Sequence, residues 1–151
     1  MRVFRTFDDL SESVGEVLGS SAWMLVDQAR VDAFAECTGD HQWIHVDVQR
    51  SVDGPFGGTI AHGFLTLSLI PALQAEVFVL ETPGPKLNYG MNKLRFPTPL
   101  LVGRRIRDTC TLLEVTEMPA GRQVVVRHVM EIEGEVKPAL VADSVALLLG
   151  V

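Results

Sequence analysis

The chain has 151 residues, 47% hydrophobic and 21% charged, with a net charge of −6; such a chain fits one globular domain that needs no disulfide or metal staple. The acidic balance argues against a nucleic-acid footprint, which needs clustered Lys and Arg, but leaves room for a local basic cluster toward an anionic ligand. The N-terminus carries early acids and no apolar h-region, and no apolar run reaches the roughly 18 residues of a membrane span, so a cytoplasmic protein with no signal peptide and no membrane partner is expected.

In chain order, Thr6 is placed to cap a short helix to about Val14, with Asp8 and Asp9 in its first turn. Residues 21–27, short and apolar, read as a strand. Asp27 caps a second helix in which Val31, Phe34 and Ala35 share a face, and Gly39 suits its end. Residues 40–60 look irregular, broken by Gly54, Pro55, Gly57 and Gly58. The most hydrophobic stretch, 62–80, predicts one long helix of about 27 Å, apolar nearly all round and so buried on nearly every side. Pro71 should kink it or remove one hydrogen bond. Four β-like runs follow, at 86–96, 104–117, 122–133 and 138–149. In the third, Val124, Val126, His128 and Met130 alternate with Val125, Arg127 and Val129. Turns near Gly121 and at 133–135 make this an antiparallel meander. The expectation is an α+β fold of about five strands over one helix, a single domain spanning 1–151. Cys37 and Cys110 stand in no ligand-spaced motif; they read as reduced packing residues, with no zinc site.

The segment TGDHQWIHVD, residues 38–47, sets Asp40 and His45 five positions apart just after a helix end. A carboxylate and an imidazole brought to one water form an acid/base pair. The same spacing also fits a post-helix turn Asp and a packed or surface His. The segment GGTIAHGF, residues 57–64, approaches the long helix. Gly63 there either exposes a backbone N–H to a carbonyl that becomes enolate-like, or serves only a tight turn. His62 fits a capping or packing role. Tyr89, Asn92, Lys93 and Arg95 lie in a strand whose alternate residues share a face, toward either a ligand or solvent. Trp23, Trp43 and Phe34 read as core rather than as a substrate platform.

Taken together, TGDHQWIHVD, GGTIAHGFLTLSLIPAL and NYGMNKLRFPTPLLVG resemble the MaoC-like, (R)-specific enoyl-CoA hydratase family, over about residues 8–149. The resemblance implies a hot-dog fold, an antiparallel sheet wrapped around a long central helix, assembled as a homodimer. It implies reversible addition of water to a trans-2-enoyl thioester of CoA or acyl carrier protein, with no metal or redox cofactor. It assigns the catalytic pair to Asp40 and His45 and the oxyanion N–H to Gly63. It also directs attention to Gln42, Ile60, His62, Tyr89, Asn92 and Arg95 as substrate-binding positions. Many members carry a serine eight residues after the glycine, bonded to the catalytic carboxylate. Here Pro71 stands in that place and Ser68 one turn earlier, so Ser68 or a backbone group must orient Asp40. Two alternatives stay open. A hot-dog thioesterase commonly places its carboxylate on the central helix, where this chain has only Glu76. A non-catalytic acyl-binding subunit has no need of the Asp40–His45 pair.

Overall fold

The computed structural model describes residues 1–150; Val151 lies outside the described residues. In chain order the elements are β1 (Arg2–Phe4), α1 (Phe7–Glu12), β2 (Val17–Ser20), β3 (Met24–Leu25), α2 (Gln28–Thr38), α3 (Trp43–Val46), α4 (Val48–Val52), α5 (Gly63–Ser68), α6 (Ile70–Val77), β4 (Phe78–Leu80), β5 (Lys86–Arg95), β6 (Arg105–Met118), β7 (Gly121–Ile132) and β8 (Leu140–Leu149).

Local chemistry sets the first helix ends. Thr6 closes a capping box: Asp9 N–H donates to Thr6 Oγ1 at 3.0 Å, and Thr6 N–H donates to Asp9 Oδ2 at 3.1 Å. Asp27 Oδ1 accepts from Arg30 N–H at 2.9 Å to start α2. Gly39 ends it at φ 79°, the left-handed region that favours glycine. The strand expected over 21–27 is only β3, and β2 precedes it with a register shift on β6 between Val17 and Gly19. Such a bulge masks the two-residue period. Within the expected irregular stretch, α3 and α4 are too short to show a helical period.

The long helix of 62–80 is instead two helical segments and a strand. Leu69 N–H reaches Leu65 O and Leu73 N–H reaches Leu69 O, both at 3.1 Å, so the path continues through the break at Leu69. Pro71 has no N–H to offer the Leu67 carbonyl, and its fixed φ suits the first turn of α6. Burial is one-sided: Leu65, Thr66, Leu69, Ile70, Leu73 and Val77 are buried, whereas Phe64, Ser68, Pro71 and Glu76 are exposed in the single chain. The chain then turns extended at Phe78, which pairs in parallel with Arg2 of β1.

The main sheet has six strands in the order β2-β6-β7-β8-β5, with β3 also on β6. All its pairs are antiparallel. The expected meander holds for β6–β7–β8, but β5 pairs with β8, so the chain crosses to the opposite edge before the meander begins. One sheet face packs on the helix: Ile106, Met130, Leu140 and Ala142 meet Leu65, Leu69, Ile70 and Leu73. Cys110, Leu112 and Val126 meet Val77 and Phe78. This is the hot-dog arrangement, with the apolar face of one layer buried against the other.

A polar network lies in that core. His128 Nδ1 and Asp108 Oδ2 are 2.7 Å apart, His128 Nε2 and Ser144 Oγ 3.0 Å, and Cys110 Sγ donates to Asp108 Oδ2 at 3.3 Å. Asp108, Cys110 and His128 are each fully buried. Cys37, expected to pack, is exposed. Among the described residues no helix is long and apolar enough to cross a membrane.

Candidate active site

Asp40 follows directly on the left-handed Gly39 and is exposed. Its Oδ1 accepts from Gln42 N–H at 3.3 Å, and its own N–H reaches Thr38 Oγ1 at 3.5 Å. A backbone group therefore orients the carboxylate. Ser68 does not, since its hydroxyl donates to Phe64 O one turn back at 2.7 Å.

His45 lies on α3 and is buried, 6% exposed. Its Nδ1–H donates to the Ile60 carbonyl at 2.6 Å, while Ile60 N–H returns to Ile44 O at 3.0 Å. This bond fixes the tautomer and leaves Nε2 with a free lone pair. Burial pushes the His45 pKa below the ordinary 6.5, against the opposing pull of the Ile60 carbonyl. His45 is thus a neutral base at neutral pH.

His62 is 2% exposed and stacks on His45, with centroids 3.8 Å apart and planes at 24°. Its Nε2–H donates to the Asp40 carbonyl at 2.9 Å. Donor atoms of Asp40, His45 and His62 lie within 4.8 Å of one another. This donor set is of the metal-binding kind, but two nearly parallel rings cannot both aim in-plane lone pairs at one ion about 2 Å away. The buried Asp108, Cys110 and His128 also cluster. There the atoms bond to one another, and burial first, then the Asp108 carboxylate, pushes the Cys110 thiol far above its usual range, against thiolate ligation.

Gly63 opens α5, where a first-turn N–H has no carbonyl within the helix. His45, Ile60, Gly63, Thr66 and Phe96 line a cavity of about 220 Å³. A longer groove, about 430 Å³, runs between the helix and the β5–β8 edge, past Leu67, Ile70, Gln74, Leu87, Met91 and Ser144. Gly63, Thr66, Leu67, Ile70 and Gln74 follow at helical spacing, so cavity and groove lie along one side of the helix.

The remaining expected positions divide. Gln42 contributes its backbone N–H, and Ile60 contributes its carbonyl and borders the cavity. His62 stands at the N-cap position of α5 without a side-chain cap hydrogen bond, and its sealed ring packs between Phe34 and His45, so the packing role describes it and an open substrate contact does not. Tyr89, Asn92 and Arg95 are exposed on β5 and border neither cavity nor groove. Register shifts between Asn88 and Gly90 and between Met91 and Lys93 break the alternation assumed for them. Phe34, Trp23 and Trp43 are half-buried, the tryptophans under Arg107 and Arg50. Phe96, absent from the sequence reading, packs against Gly63; its only sequence signal is its place just after β5.

Comparison with known proteins gives one answer. Residues 9–135 match the family model described as a MaoC like domain. A Mycobacterium tuberculosis protein named 3-hydroxyacyl-thioester dehydratase Z is 47% identical over 146 residues, covering 96% of this chain and 97% of its own. Nodulation protein N of Rhizobium leguminosarum bv. viciae is 42% identical over 143 residues, covering 93% and 89%. The solved (R)-hydratase from A. caviae involved in PHA biosynthesis matches with a TM-score of 0.72 at 23% identity, over 88% of this chain and 96% of that one. At that identity it speaks for the fold.

Proposed function

The chain belongs to the MaoC-like domain family, and from that premise we propose that it is a hydro-lyase interconverting 3-hydroxyacyl and trans-2-enoyl thioesters. The observation that carries the reading is a neutral His45, its Nε2 free, beside the Asp40 carboxylate and bordering a cavity that Gly63 also lines. The name of the M. tuberculosis relative supports the substrate class.

In the hydration direction the thioester carbonyl accepts from Gly63 N–H, and one water lies between Asp40 and His45. His45 Nε2 takes a proton from the water as its oxygen bonds to C3. The C2–C3 π pair moves toward the carbonyl, which becomes enolate-like at the helix start. The imidazolium, stabilised by Asp40, then hands the proton to C2. Every atom of the water ends in the product, and the balance closes with these groups alone. Oxygen and proton arrive from one side, so addition is syn, and the (R)-3-hydroxyacyl product is expected. The acyl chain follows the apolar groove, with CoA or acyl carrier protein outside.

The protein acts as a homodimer in this reading. The C-terminal run, apolar as it is, supplies no open edge, because β8 is interior. β5 is an edge strand of the sheet, exposed along almost its whole length, Leu87, Tyr89 and Met91 included, and a strand with one side unpaired invites a second copy. The thioesterase alternative is disfavoured, since Glu76 borders neither the cavity nor the groove.

Hydration of crotonyl-CoA, followed by loss of enoyl absorbance, tests the activity. Asp40→Asn and His45→Gln should each lower kcat by about 10²- to 10⁴-fold. The double variant should be little worse than either single one. A folded single variant with near-normal turnover would refute the pair, and a monomer by light scattering at micromolar concentration would refute the dimer.

A further inference from the structure

We propose that His62 is a positioning residue that holds Asp40 and His45 at their working separation; the inference rests on reading those two as the reacting pair. Asp40 and His45 stand on different segments, the turn after α2 and the helix α3, and among the described residues the only side chain that engages both is His62. Its ring lies on His45 at 3.8 Å, and its Nε2–H holds the Asp40 carbonyl at 2.9 Å. That bond is the shortest one made by Asp40; the two others, to Gln42 and Thr38, are 3.3 and 3.5 Å. Without His62 the exposed Asp40 turn keeps only those long contacts.

The ring itself is well anchored. Phe34 of α2 packs on it at 4.9 Å, and the Thr66 N–H and hydroxyl both donate to the His62 carbonyl, at 3.1 and 3.3 Å. His62 therefore ties the helix start, where Gly63 presents its N–H, to both reacting groups. A misplacement of about 1 Å at such a centre lowers turnover roughly 10²-fold. The hydrogen bond also settles the proton. With Nε2–H given to a carbonyl, Nδ1 is a bare lone pair, and it is buried with no partner.

Two substitutions divide the contacts. His62→Phe keeps a ring on His45 and loses the N–H; His62→Gln keeps an N–H donor and loses the ring. With crotonyl-CoA, His62→Phe should lower kcat about 10- to 100-fold with KM changed less than about 3-fold, and His62→Gln should turn over several-fold faster than His62→Phe. In an Asp40→Asn background either substitution should cost less than about 3-fold more, because the group being positioned is already disabled. A folded His62→Phe enzyme with wild-type kcat overturns the proposal, as does an equal loss in both backgrounds, the mark of a merely structural residue. If His62→Phe does not fold, the same two-background comparison with His62→Gln decides. A wild-type protein that does not hydrate enoyl thioesters would overturn the proposed function instead.

Discussion

Replacing His128 with leucine strands a carboxylate in the core. Asp108 and His128 are both fully buried and 2.7 Å apart. Once the imidazole is gone, Asp108 keeps one weak S–H donor, Cys110 at 3.3 Å, and its Oδ1 has no partner even now. Removing one member of a buried pair typically costs about 3–5 kcal/mol, and the orphaned Oδ1 places this case toward the upper end. For a chain of this size 1 kcal/mol moves Tm by about 2–4 °C, so His128→Leu should melt some 10–15 °C lower. Converting both residues to leucine removes the charge together with its partner. The double variant should regain most of the loss, because well-packed apolar groups often replace a buried ion pair without penalty. Calorimetric melts of the wild type, the two single variants and the double variant at pH 7 give the full cycle. A His128→Leu protein within about 3 °C of wild type, or a double variant less stable than either single one, would refute the reasoning.

Three other outcomes are expected. The Arg127 guanidinium, bonded to Asp143 at 2.7 and 2.8 Å, holds its carboxyl below the ordinary 3.8. Because the folded pKa is the depressed one, the pair stabilises above the ordinary carboxylate range and the benefit is lost as pH falls through the lowered value. Asp143→Asn should thus cost about 1 kcal/mol at pH 7 in thermal melts, a deficit that closes in acid. Native protein at pH 8 should show one fast thiol toward a disulfide reagent, the exposed Cys37, with Cys110 reacting only on unfolding; two fast thiols would mean that the core opens. Gly63→Ala sets a methyl 3.2 Å from the Phe96 ring, which is 40% exposed and free to yield. Melting should change by less than about 1 kcal/mol, while kcat/KM falls roughly 10- to 100-fold as methyl and ring crowd the cavity. Unchanged kinetics would remove Gly63 from the carbonyl site.

What could be read from the sequence was what neighbours along the chain decide. Thr6, Asp27 and Gly39 act within one helical turn of themselves, and each does what its chemistry predicts. The runs over β6, β7 and β8 are long and pair with their sequence neighbours, so alternation and turns suffice. The helix break was less legible because hydropathy counts apolar residues without saying which way they face: Phe64 is as greasy as Leu65, yet it is exposed. Phe78 becomes a strand only because β1 offers it an edge, a contact from the other end of that half of the chain. At the site, Asp40 and His45 lie five positions apart in one segment, and the family resemblance rather than their spacing singled them out. The groups that hold them were not legible, because the Ile60 carbonyl, the Gln42 N–H and the Asp40 carbonyl are backbone atoms that every residue type carries.

The strand order also fixes a schedule for folding during synthesis. Nearly every strand made before β6 must wait for a partner made later: β1 for β4, β2 and β3 for β6, and β5 for β8. β6, β7 and β8 pair with their sequence neighbours as they emerge, whereas the non-local pairs of the earlier strands slow folding. A growing chain therefore carries its Asp40–His45 loop and helix into solution long before it has a wall to lean on. The cavity closes last, when Ala139 comes to its rim and β8 locks onto β5. A chain that stops even ten residues short leaves β5 without its partner, and the Asp40–His45 segment without that wall.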